Sequence, residues 1–234
     1  MNRNGNTYTV LYAAIMVILV AAILATASMA LKPLQNRNKE IEKEQNILTS
    51  ANIPSTTANS AQLFKENITK EYVVNSKGET VEGVDAFNVD LKKEHTKPVD
   101  QRNLPVFECQ SKDGLKYIFP VRGTGLWGPI WGFVSLDDDM NTIYGAIFDD
   151  EGETPGLGAE IATRKFQVQF KGKKLFDDSG KLVSITVTKA GQTAPEEHKV
   201  DGISGGTITS KGLQKMLLDD FTSYEKFLIE KKNK

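Results

Sequence analysis

Residues 201–212 read DGISGGTITSKG and hold the most suggestive chemistry of the chain. Four hydroxyls, on Ser204, Thr207, Thr209 and Ser210, share this run with the adjacent pair Gly205 and Gly206. Glycines let a backbone approach a ligand closely, and amides at the start of a following helix favour a phosphate. A plainer reading of the same residues is a Ser/Thr-capped turn ahead of that helix. The run lacks the lysine and hydroxyl spacing of a P-loop. Nor is a neighbouring His or Cys constellation available to activate a hydroxyl as in a hydrolase, so no catalytic nucleophile is assigned.

Two further segments are rich in glycine and apolar residues: GTGLWGPIWGFVSL at 123–136 and ETPGLGAEI at 153–161. By itself the first is a strand entered through a glycine turn, with Trp127 and Trp131 as core residues. In the second, Pro155, Gly156 and Gly158 make a tight loop before a helix, which requires no ligand.

Together, and in this order, the three segments resemble the covalent-FMN domain family shared by the NqrC proteins of the sodium-translocating NADH:quinone oxidoreductase and their FMN-carrying counterpart in the Rnf electron-transport complex. The family pattern is D-G-x-[ST]-G-A-T, a hydrophobic residue, then Thr-Ser. Asp201, Gly202, Ser204, Gly205 and Thr207 occupy it, Ile208, Thr209 and Ser210 continue it, and Gly206 departs from the usual alanine. The resemblance covers about 104–228 and implies an FMN phosphoester on Thr207, made by a separate flavin transferase from FAD with a divalent metal. It also places the 154–158 loop and the Gly-Trp end of 123–136 against the flavin. An isoalloxazine ring needs a flat apolar wall, for which Leu157 with Leu126 or Trp127 are candidates, and polar contacts, for which Thr154 and Thr209 are candidates. Gly156 and Gly158 complete the expected cofactor-binding set with Ser204, Gly205 and Gly206. The implied role is electron relay between other subunits of a membrane complex. Residues 54–102 suit the NqrC branch better than the shorter Rnf protein. An unflavinylated, membrane-tethered scaffolding domain is a rival of another class, and a self-contained flavin reductase is a third.

The elements that must position these residues are legible in outline. Expected strands begin at Glu71 (EYVV), Phe107 (FECQ), Leu115 (LKYIFPV), Ile130 (IWGFVSL), Thr142 (TIYGAIF) and Lys181 (KLVSITVT), several joined by polar turns such as SKDG and LDDDMN. One helix is expected over 158–165. A longer one is expected over 211–230, where Leu213, Met216, Leu217, Phe221, Tyr224, Phe227 and Leu228 share a face. The fold class is α+β, a single domain with a mainly antiparallel sheet and flanking helices over 53–234.

Ahead of it, residues 1–9 read as a tail and 10–31 as a transmembrane helix. These 22 uncharged residues extend ~33 Å as a helix, against a bilayer core of ~30 Å. Small residues at Ala25 and Ala27, or Ser28 and Ala30, also offer signal-peptidase sites, but the apolar run exceeds a secretory h-region. Residues 32–52 read as a connector with a short helix after Pro33. Arg3 precedes the span and Lys32, Arg37, Lys39 and Lys43 follow it, a bias toward a cytoplasmic C-terminal side. The family resemblance implies the opposite, a bacterial inner-membrane protein with a periplasmic domain.

Composition narrows the alternatives. With 29 basic and 30 acidic residues, no large positive field draws the chain to nucleic acid. Cys109, the sole cysteine, excludes an intramolecular disulfide and a multi-thiolate zinc site. His95 and His198 are far apart and read as surface residues, so no metal site is assigned. A nicotinamide-binding G-x-G-x-x-G strand-turn-helix unit is also missing, which directs NADH to another subunit.

Overall fold

The computed structural model describes residues 5–189 and 191–233; Arg3 and Lys234 lie outside them. The chain divides into two compact units, 1–43 and 44–234, so the folded unit starts upstream of the boundary expected near Asn52. Helix α1 (Asn6–Ser50) is continuous through Pro33, and it contains a window of mean hydropathy 2.7, long and apolar enough to cross a membrane. Apolar side chains from Val10 to Leu34 are exposed along it.

In the second unit, α2 (Ser60–Asn67) leads into β1 (Ile68–Val74) and the short β2 (Thr80–Val81). After α3 (Leu91–Glu94) come β3 (Leu104–Ser111), β4 (Gly114–Thr124), β5 (Pro129–Leu136) and β6 (Ile143–Asp150). These strands form one antiparallel sheet in the order β2-β1-β3-β4-β5-β6. Both faces of the sheet are covered, which is why its central strands read as nearly unbroken apolar runs. Phe107, Cys109, Ile118 and Phe133 face a core with Ile47, Ala51 and Ala86. Phe119, Val121, Ile130 and Val134 face the other core, which is closed by α5 (Thr207–Lys232).

Two of the expected elements within the folded unit take a different form. The 181–188 run is a strand only at β7 (Thr186–Thr188), because Ser184 adopts a left-handed φ of 56° that breaks the extended chain. β7 pairs in parallel with β8 (Lys199–Asp201), outside the main sheet. The expected 158–165 helix is a 3-10 turn (Gly158–Ala162) followed by α4 (Arg164–Gln167). Extended Thr163 separates them and its side chain caps α4 by accepting from Phe166 N–H.

Of the two histidines read as surface residues, His95 is partly exposed and His198 is not a surface residue. His198 is buried, its Nδ1 2.7 Å from the Lys174 carbonyl. His95 Nε2 lies 2.9 Å from Asp220, a buried carboxylate on α5 that also accepts from Arg122 N–H at 2.8 Å. Burial pushes the Asp220 carboxyl above its ordinary range, against the His95 bond and charge, the Arg122 amide and the Arg102 charge. A raised folded-state value makes its contribution to stability fully present below the unfolded value of about 3.9, and lost as pH rises through the folded one. Asp220→Asn keeps an acceptor for Arg122 N–H without the charge. Its urea midpoint should gain on the parent's as pH rises above about 4; a gap independent of pH would contradict this account.

Candidate functional site

β4 and β5 form a hairpin with a register from Tyr117↔Leu136 to Thr124↔Pro129. Its 125–128 turn is closed by Gly125 N–H donating to Gly128 O at 2.8 Å. At the tip, Leu126 and Trp127 are exposed, Trp127 by 70%, so this tryptophan is no core residue. The turn's neighbour is the loop after β6, where the Thr154 carbonyl accepts from Leu157 N–H at 3.0 Å and Ala159 N–H at 3.3 Å. That loop leaves Leu157 41% exposed.

The 201–206 segment is the third component. It leaves β8 with Gly202 N–H donating to Thr188 O at 2.7 Å, and Gly206 N–H donates back to Ile203 O at 3.0 Å. Gly205 has φ +75°, a conformation that favours glycine, and a side chain there would have to displace the tip of Leu157. Gly206, where the family pattern has alanine, is buried. A methyl on it would stand 2.9 Å from Ile203 Cγ2 and 3.2 Å from the Leu157 carbonyl carbon, so the glycine lets the two loops close together.

Helix α5 begins at Thr207, not at Lys211 as the sequence suggested, and Gly206 is its N-cap without a side-chain cap. The hydroxyl run is therefore the first helical turn, whose leading amides have no intrahelical acceptor. Its residues have separate fates. Thr209 is buried and donates its hydroxyl to Glu153 Oε2 at 2.6 Å. Ser210, also buried, accepts from Ile203 N–H at 3.2 Å. Thr207 is half-buried, and Ile208 is 58% exposed. A cavity of about 280 Å³ opens beside them, lined by Ser204, Gly205, Thr207, Lys189 and Lys211 among others. A second, of about 650 Å³, lies along Gly156, Asp201, Gly202 and Ser204.

The structure thus brings Thr207, Ser204, Gly205, Gly206, Gly156 and Leu157 into one neighbourhood, with Leu126 and Trp127 tied to it through Glu153, whose Oε1 accepts from Trp127 N–H at 2.8 Å. Thr154 is exposed at the rim, while the Thr209 hydroxyl is committed to Glu153. Glu153 itself escapes sequence reasoning: it stands first in the ETPGLGAEI run, and an acidic residue before a Pro-Gly loop carries no local signal of burial. Exposed apolar surface, uncapped helix amides and two lysines suit a planar aromatic group bearing a phosphate.

Comparison with known proteins gives the same direction. Residues 125–219 match the FMN-binding domain family. Among curated relatives, the NqrC protein of the Na(+)-translocating NADH-quinone reductase of Haemophilus ducreyi is 32% identical over 228 residues, spanning 91% of this chain and 88% of that one. Its Pseudomonas aeruginosa counterpart is 33% identical over 239 residues, spanning 92% and 91%. The crystal structure of the same reductase component from Parabacteroides distasonis superposes with a TM-score of 0.79 at 45% identity, covering 85% of this chain and 96% of that one.

Proposed function

Since this chain belongs to the NqrC family of the Na(+)-translocating NADH-quinone reductase, we propose that it carries FMN as a phosphoester on Thr207 and relays electrons between other subunits of that complex. The observation that carries the attachment is the different engagement of the hydroxyls in the first turn of α5. Those of Thr209 and Ser210 are buried and hydrogen-bonded, while Thr207 is half-buried beside an open cavity with two lysines.

Attachment balances as a transfer. A flavin transferase, with a divalent metal, joins Thr207 Oγ to the FMN phosphorus of FAD, the pyrophosphate bond breaks, AMP leaves and the threonine proton is released. Bound FMN supplies the redox chemistry. The chain's own residues then hold and orient it. Lys189, Lys211 and the leading amides of α5 offset the phosphate charge. Leu157, Leu126 and Trp127 offer apolar walls, and Ser204 and Thr154 offer exposed hydroxyls at the edges.

In this assignment residues 10–31 are the membrane span, 32–52 include the connector, and the folded domain faces the periplasm, where the transferase works. The positive residues after the span argue for the other side; partner spans in a complex fix orientation independently of one subunit's charge bias. The deciding measurement is the intact mass of the full chain co-expressed with an active flavin transferase. A gain of one FMN less one water is expected; an unmodified mass would instead support a scaffolding domain or a noncovalent flavin site.

A further inference from the structure

Glu153 lies where the 125–128 turn, the 153–158 loop and the first turn of α5 converge, and it is 6% exposed. Its two carboxylate oxygens serve different segments: Oε1 accepts from Trp127 N–H at 2.8 Å, and Oε2 from the Thr209 hydroxyl at 2.6 Å. The amides of Leu126 and Gly128 also face it. Side chains at Gly125 or Gly158 would collide with this carboxylate, so both positions leave room for it. Burial pushes its pKa up, but the Thr209 hydroxyl and the three turn amides outweigh burial and hold the carboxyl below its ordinary range. It is therefore ionised near neutral pH. The hydrogen-bonding partners are uncharged, and among the described residues no cation forms an ion pair with this carboxylate.

We propose that Glu153 is a positioning residue that fastens the Leu126–Trp127 turn to the helix bearing Thr207, and that its unneutralised charge lowers the reduction potential of the FMN carried there. The inference rests on the assignment of FMN to Thr207. A negative charge held in a partly desolvated setting opposes the arrival of an electron nearby, and water does not screen it well.

Glu153→Gln separates charge from shape. Its amide oxygen can take Trp127 N–H, and its NH2 can donate to Thr209, whose hydroxyl accepts as readily as it donates. The full-length chain and this variant, each co-expressed with a flavin transferase, are compared by intact mass, thermal midpoint and a redox titration of the attached flavin. Expected are equal mass gains, similar thermal midpoints and a more positive potential in Glu153→Gln. The shift should be on the order of tenfold in the one-electron equilibrium, or about 59 mV. An unchanged potential in a fully flavinylated variant overturns the proposal. So does a folded variant that takes no flavin beside a flavinylated parent, because the carboxylate would then serve attachment. If the parent itself gains no mass, the failure lies in the Thr207 assignment. Glu153→Ala, which orphans the turn amides, should also change the visible spectrum of the attached flavin; a parental spectrum and potential would overturn the positioning role.

Discussion

Thr207→Ala, produced with an active flavin transferase, should stay at the mass of the unmodified chain and show no flavin fluorescence after denaturation. The loss should be complete because the other hydroxyls of the first helical turn cannot take over in place. The Thr209 oxygen is buried against Glu153, and the Ser210 oxygen is buried under Ile203 N–H. Thr207→Ser, which keeps an oxygen at the same helical position, should retain the modification. Fold stability should hardly respond, within about 0.5 kcal/mol, since a half-buried first-turn residue with no capping role is being trimmed. A mass gain surviving in Thr207→Ala would move the attachment to another oxygen, with exposed Ser204 the first to examine.

Phe119→Ala should do the reverse, sparing the attachment chemistry while removing about 3–5 kcal/mol of folding stability. Phe119 is fully buried on β4, with the rings of Tyr224, Phe221 and Phe227 at 4.9, 5.9 and 6.2 Å between centroids. All three belong to α5, so this one side chain joins the middle of the sheet to the helix that starts at Thr207. Truncation leaves a cavity that three large rings cannot fill without leaving their tilted and edge-on packing. Urea unfolding of the unmodified chain would show a lowered midpoint; a loss below about 1 kcal/mol would mean that the rings repack. The two variants separate what the helix carries from what holds it in place.

Much of this architecture is written locally. SKDG and LDDDMN mark the hairpin turns after β3 and β5, and the apolar runs between them are the central strands. The apolar face of α5 follows from its spacing. Where the reading stops short, the missing information is long-range. Ile47 and Ala51 look like part of a solvated stalk until Phe107, Ile118 and Phe133 are seen to need covering. β7 and β8 are short, and only their parallel pairing makes them strands. His95 meets Asp220 across more than a hundred residues, so neither betrays the contact by its sequence neighbours. At the site, the Thr207 motif and the Leu157 loop are visible as sequence patterns. The carboxylate of Glu153 is not, because its partners come from a turn and a helix that folding alone brings together.

The sole cysteine has a bearing on durability. Cys109 lies on β3 between the sheet and its second core, fully buried, and burial lifts its thiol to about 11 despite the opposing charge of Lys116. The thiol therefore stays protonated near neutral pH, and it is out of solvent's reach. The folded chain thus offers oxidants no accessible thiolate to sulfenylate, and two copies cannot crosslink through Cys109 while folded. Damage at this thiol must wait for unfolding, so its exposure to oxidants is set by how often the sheet opens.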